Sequence, residues 1–233
     1  MAELIVALDV STPAEAEALV MRLGDAVSFY KIGLELFSAG GPDVVRVVTA
    51  QGKRVFLDLK LHDIPRTVER AVTAGAALGV SLMTIHASGG RAMIRAAAEA
   101  ARSCGVSAPC ILAVTALTSL DQNDLTDLGI TRPLREHVTA MGLLAVREAS
   151  ADGIVCSPQE VAAMRAALGP AALLVTPGVR PAGAAVGDQK RVATPAAAVR
   201  DGSTHLVVGR PIVEAPDPRA AALAIQAEMR QAI

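Results

Sequence analysis

Eight short apolar runs, each followed by a longer amphipathic stretch, constrain the fold of this chain more than any other feature. The runs are LIVALDV (4–10), SFYKIGL (28–34), RVFLDLK (54–60), SLMTIHA (81–87), CILAVTAL (110–117), GIVCS (153–157), LLVTPG (173–178) and HLVVGR (205–210). Their length and content read as strands. Stretches between them, such as PAEAEALVMRLG and GGRAMIRAAAEAARSCG, carry apolar residues at helical spacing and often end in Gly, which reads as helix. Alternating strand and helix implies parallel strands joined by right-handed crossovers, and eight such units close naturally into a barrel. The length of 233 residues fits one such unit. The expectation is therefore an α/β chain, a (β/α)8 TIM barrel forming a single domain over 1–233. A doubly wound open sheet is the alternative, and it needs an edge and a switch point that the even spacing does not favour.

Composition excludes several classes of function. With 22 basic and 23 acidic residues the formal net charge is -1, which gives no global field to collect nucleic acid or an anionic membrane. Charges, Gly or Pro interrupt the apolar residues too often for a membrane span. The opening MAELIVALDV has no basic leader and reads as a first strand, so the expected location is cytoplasmic. Cys104, Cys110 and Cys156 follow no metal-ligand spacing and read as buried free thiols.

Polar residues recur at the C-terminal ends of the apolar runs, where packing alone would favour Val and Leu. Asp9 closes the first run, Lys31 lies in the second, Asp58 and Lys60 close the third, His86 closes the fourth and Arg210 ends the eighth. On one face of a barrel these residues describe a charged pocket. In LDLKLHDIP, Asp58 and Lys60 are two apart and so share a side of a strand, and Asp63 follows in the loop. A lysine among carboxylates keeps its proton, which suits it to donate a proton and not to form a Schiff base. A structural ion pair at a strand end is the plain alternative for this spacing.

The run HLVVGRPI delivers Gly209 and Arg210 to a turn of the kind that binds phosphate in barrels. Arg210 can fork onto phosphate oxygens, and Gln189 on the preceding loop can add a neutral donor. Two long segments, 119–133 and 179–195, read as irregular loops at the same face, the second as a mobile flap.

The blocks ALD (7–9), YKIGLELF (30–37), FLDLKLHDIPRTV (56–68), VTALTS (114–119), VTPGVRP (175–181), DQKRVATP (188–195) and VVGRPI (207–212) together resemble the orotidine 5′-monophosphate decarboxylase family, in order along almost the whole chain. The resemblance implies conversion of orotidine 5′-monophosphate to UMP and carbon dioxide, with no cofactor and no metal. It implies that Lys60 donates the proton that replaces the carboxylate at pyrimidine C6, that Asp58 lies against that carboxylate, and that Asp63 completes the array across a homodimer interface. Asp9 and Lys31 are implied ribose contacts, Thr118 lies near the pyrimidine, and Thr67 reaches over from the partner subunit. Arg180, Gln189, Gly209 and Arg210 complete the cradle, the last three at or near the phosphate. Arg66 departs from the pattern, standing where many members carry a small polar residue.

His62 and His86 read as residues that orient a neighbour; His62 is expected to be partly buried and hydrogen-bonded, not a general base. Two other functions fit parts of the pattern. A magnesium-dependent sugar-phosphate decarboxylase or aldolase of the same superfamily would call for extra carboxylates at neighbouring strand ends. A non-catalytic phosphoribosyl-binding barrel would leave an ion triad without a use.

Overall fold

The strand interiors alternate up to a bulge at the end of β3, and this alternation builds the core and most of the site. In the computed structural model, which describes residues 2–181 and 193–232, the strands are β1 Glu3–Ala7, β2 Phe29–Gly33, β3 Arg54–Leu61, β4 Leu82–His86, β5 Cys110–Val114, β6 Gly153–Val155, β7 Leu173–Thr176 and β8 His205–Val208. All pairings are parallel, and β8 closes on β1 to give a barrel in sequence order. The eight expected runs are thus the eight strands. The strands end sooner than the runs did: Asp9 lies two residues past β1, and Arg210 opens a helix instead of ending β8.

Leu4, Val6, Tyr30, Ile32, Val55, Leu57, Met83 and Ile85 face outward into one large buried cluster with the helices. The intervening residues Ile5, Ala7, Phe29, Phe56, Leu82, Leu112, Val175 and Val207 face inward and fill the barrel as a second cluster. This is the period of two expected for strands covered on both sides. Extending the inward rows by one or two steps gives the site: Ile5 and Ala7 lead to Asp9, Phe29 to Lys31, Phe56 to Asp58, and Leu82 to Thr84 and then His86. The apolar layer is the floor on which the charged residues stand.

The surrounding helices are α1 Pro13–Leu23, α2 Leu34–Ala50, α3 Pro65–Ala76, α4 Gly90–Ser103, α5 Gln122–Asp127, α6 Leu134–Leu143, α7 Val161–Leu168, α8 Pro195–Arg200, α9 Arg210–Val213 and α10 Pro218–Arg230. Helix α1 starts at a capping box in which Thr12 and Glu15 satisfy each other's backbone N–H groups, and Pro13 sits in its first turn. Helix α2 runs through a kink at Gly41, where a φ of 58° precedes Pro42. The segment 119–133, expected to be irregular, contains α5. Asp121 and Asp124 form its capping box and Leu125 is buried beneath it. No helix among the described residues is long and apolar enough to cross a membrane.

The opposite, N-terminal mouth is sealed by contacts of its own. Arg54 pairs with Glu3 and lies 4.2 Å above the Phe29 ring, and His205 meets the same ring edge-on at 5.9 Å. A cleft of about 300 Å³ beside them, lined by Glu3, Ser28, Arg54, Gln226 and Met229, is remote from the charged strand ends. None of the three cysteines forms a disulfide; Cys156 is buried, while Cys104 and Cys110 are half-buried and so less enclosed than expected.

Candidate active site

Four charged side chains alternate in sign across the C-terminal ends of β1, β2 and β3. Lys31 Nζ lies 3.0 Å from Asp9 Oδ1 and 3.7 Å from Asp58 Oδ2. Lys60 Nζ lies 2.9 Å from the same Asp58 oxygen. The side chains of Lys31 and Asp58 are only 13% and 11% exposed, whereas Lys60 at 30% reaches toward the mouth. Two carboxylates and two ammonium groups balance, so each ammonium is held by opposite charge in a setting where hydrogen bonds to ions are strong. Gly33 helps to make the room, because a Cβ there would stand 3.0 Å from Lys31 Nζ.

Lys60 does not reach Asp58 by simple alternation. Strand β3 pairs with β4 through Leu57 with Met83 and then Leu61 with Ile85, so residues 58, 59 and 60 face the single residue Thr84. Within this bulge Lys60 adopts a φ of 51°, the left-handed region that a residue with a side chain seldom enters. Such backbones cost roughly 1–3 kcal/mol and persist where surrounding contacts enforce them, often at functional sites. The enforcing contact is Thr84, which sequence reasoning missed. Its Oγ1 accepts the Lys60 N–H at 2.9 Å and donates to Asp58 Oδ1 at 2.9 Å, and the residue is fully buried.

The structure joins some of the remaining expected residues and leaves others apart. Asp63 is exposed; its Oδ1 accepts the Ile64 N–H at 2.6 Å, and no ion pair joins it to Lys60 within the chain. Thr67 is exposed near the start of α3. Thr118 is half-buried in the turn after β5. Gln189 lies outside the described residues, as does most of the expected flap. Residues on either side of that segment are tied by a parallel bridge between Val179 and Ala193, with the Arg180 N–H donating to Ala193 O at 3.0 Å. Arg66 pairs with Glu69 on the exposed face of α3.

Arg180 is 9% exposed and donates to Val179 O at 3.0 Å. Burial, and then the positive charge of Arg210, hold its guanidinium below the ordinary arginine range, while Glu214 opposes them. Arg180 thus feels the like charge of Arg210, with Glu214 as the opposing anion. Gly209 precedes Arg210, and a Cβ there would fall 2.9 Å from Asp9 Oδ2, so the glycine leaves space between the arginine pair and the Asp-Lys row.

His86 ends β4 with its ring 5.4 Å from that of His62. Burial, followed by the neighbouring His62 and Lys60, pushes the His86 pKa down, with Asp58 opposing. His62 itself is exposed and makes no hydrogen bond among the described residues, contrary to the expectation of a partly buried, bonded ring. The bulge explains the difference: it breaks the alternation after Lys60, so His62 leaves the barrel wall. Among the described residues no group of three or more His, Cys, Asp or Glu is arranged to hold a metal ion.

A closed parallel barrel with an Asp-Lys row beside a pair of arginines at its C-terminal mouth defines a barrel enzyme that handles a small anionic substrate. The chain belongs to the orotidine 5'-phosphate decarboxylase / HUMPS family, whose model matches residues 2–225. It is 53% identical over 232 residues to the orotidine 5'-phosphate decarboxylase of Moorella thermoacetica, covering 97% of this chain and 92% of that one. It is 56% identical over 221 residues to that of Anaeromyxobacter sp. (strain K), covering 95% of each. The crystal structure of orotidine 5'-phosphate decarboxylase from Lactobacillus acidophilus superposes with a TM-score of 0.89 at 40% identity, over 98% of this chain and 99% of that chain.

Proposed function

We propose that this chain is a carboxy-lyase that converts orotidine 5′-monophosphate to UMP and carbon dioxide, the last step of UMP synthesis, with Lys60 supplying the proton to C6. The observation that carries the reading is the Lys60 ammonium fixed 2.9 Å from Asp58 at the mouth of the barrel. Loss of carbon dioxide leaves a carbanion that no neighbouring carbonyl delocalises well. A preorganised ammonium beside that carbon stabilises the developing charge and then protonates it. Asp58 faces the substrate carboxylate, Asp9 and Lys31 take the ribose hydroxyls, and Thr118 lies by the pyrimidine. Gly209 and Arg210, with Gln189, hold the phosphate end, and Arg180 completes the cradle.

Asp63 and Thr67 serve the site of the partner subunit in a homodimer, a reading supported by their exposure and by the missing link to Lys60 in their own chain. The enzyme works in the cytoplasm, in keeping with three cysteines that form no disulfide. The sugar-phosphate alternative within the family is disfavoured by Lys31: an ammonium 3.7 Å from Asp58 stands where a divalent cation would need a further anionic ligand.

Loss of orotidine 5′-monophosphate absorbance, followed with EDTA-treated protein and its Lys60→Ala variant, tests the proposal. The wild type turns over without added metal, and the variant binds UMP but loses at least about 10³-fold in kcat. A wild type that is inactive until magnesium is added, or a variant of undiminished kcat, overturns it.

A further inference from the structure

We infer that Thr84 is a positioning residue for the decarboxylation, holding the Asp58–Lys60 pair in its reactive geometry through both the main chain of one and the carboxylate of the other. The inference rests on the function proposed above and adds a residue that never touches the substrate.

The bulge creates the need. Between the pairs Leu57 with Met83 and Leu61 with Ile85, three residues of β3 oppose one of β4, so the regular β3–β4 ladder is interrupted there. A hydroxyl at the single opposing position supplies what the ladder lacks. Its bonding directions are also fixed by its neighbours. The Lys60 amide is only a donor, so Oγ1 accepts from it; the Asp58 carboxylate is only an acceptor, so the hydroxyl hydrogen points to Oδ1. Accepting from an amide polarises the O–H and strengthens its donation to the carboxylate. With Oδ1 engaged by Thr84, the other oxygen, Oδ2, is presented to Lys60 Nζ at 2.9 Å. One side chain therefore fixes the left-handed Lys60 backbone and the rotation of the carboxylate that its ammonium grips.

Thr84 is well suited to hold position. It is fully buried, at an inward-facing position directly above Leu82 of the apolar floor, and its β-branched side chain has few rotamers. The ribose and phosphate contacts come from other strands, so removal of the hydroxyl should loosen the reacting pair and leave ground-state binding intact.

Thr84→Val keeps the shape and removes the hydroxyl; Thr84→Ser keeps the hydroxyl. The expected kcat of Thr84→Val is lower by about tenfold to about 100-fold, as for modest misplacement of a reacting group, with KM and UMP affinity within about threefold of wild type. Thr84→Ser is expected to recover most of the lost kcat. Equal kcat in Val and Ser variants overturns the inference, as does a Val variant that loses UMP affinity in step with kcat. If Thr84→Val does not fold, Thr84→Ala against Thr84→Ser decides, since both lack the methyl and differ only in the hydroxyl: a Ser variant no faster than Ala overturns the inference. An inactive wild type in the same assay would instead remove the decarboxylase reading, so the two failures are distinct.

Discussion

Gly209 lies directly against Asp9: a Cβ built on the glycine would stand 2.9 Å from Oδ2 of the carboxylate. The atom that an added side chain would meet is the Asp9 carboxylate oxygen, at the end of a side chain that is 54% exposed. An added methyl displaces the Asp9 carboxylate, which holds Lys31 at 3.0 Å on its other oxygen. Gly209→Ala should fold normally, with Tm within about 3 °C of wild type. Its KM should rise roughly tenfold, the value of one charged hydrogen bond, as read from steady-state kinetics. An unchanged KM would separate Asp9 from substrate binding.

Lys60→Ala and Asp63→Ala chains should each be nearly inactive alone and recover activity when mixed. In a heterodimer one of the two sites has Lys60 from one subunit and Asp63 from the other. Random exchange of equal amounts should restore about a quarter of wild-type activity. Absence of recovery after mass spectrometry has verified exchange would place Asp63 outside the shared site.

Arg210→Ala should raise KM for the nucleotide by about tenfold to about 100-fold, the usual loss for a charge-assisted hydrogen bond. The same change should hardly affect turnover of orotidine, which has no phosphate. Equal losses on both substrates would show that Arg210 acts on the base or the fold, not on the phosphate.

His205 should make the protein sensitive to mild acid. Burial holds its pKa below the ordinary value of about 6.5, with Glu3 opposing and Arg54 reinforcing the shift. The unfolded chain thus takes up the proton at higher pH than the folded one. Stability is full above about pH 6.5 and falls as the pH drops below it, by at most about 1.4 kcal/mol per pH unit for this one group. His205→Asn should flatten the dependence of the urea midpoint between about pH 7.5 and about pH 5, and part of the slope should remain because His86 is lowered in the same direction. A variant whose slope matches the wild type would assign the acid sensitivity elsewhere.

How much of this was legible in the sequence depended on whether the signal was local. The strands were legible because each carries its own apolar run, and Asp58 and Lys60 because charges interrupt such a run at its end. Thr84 was not, since a threonine inside a strand is unremarkable by itself and gains its role from a bulge in a different strand, a property of register. The same bulge carries His62 away from the partly buried setting expected for it. Helix α5 was overlooked within a polar segment, although Asp121, Asp124 and the buried Leu125 carry its capping signal. Arg180 came only from the family pattern: nothing in its neighbourhood announces that it folds back, nearly enclosed, beside Arg210.

The apolar layer of Ile5, Phe29, Phe56, Leu82, Leu112, Val175 and Val207 makes the barrel a blind-ended vessel. Beneath the charged row these side chains fill the interior, and on the far side Arg54 pairs with Glu3 while His205 meets the Phe29 ring. Under the proposed mechanism, a Lys60 that has given up its proton is recharged through the open C-terminal mouth, the opening by which the nucleotide would leave. Product departure and the rearming of Lys60 would then share one path.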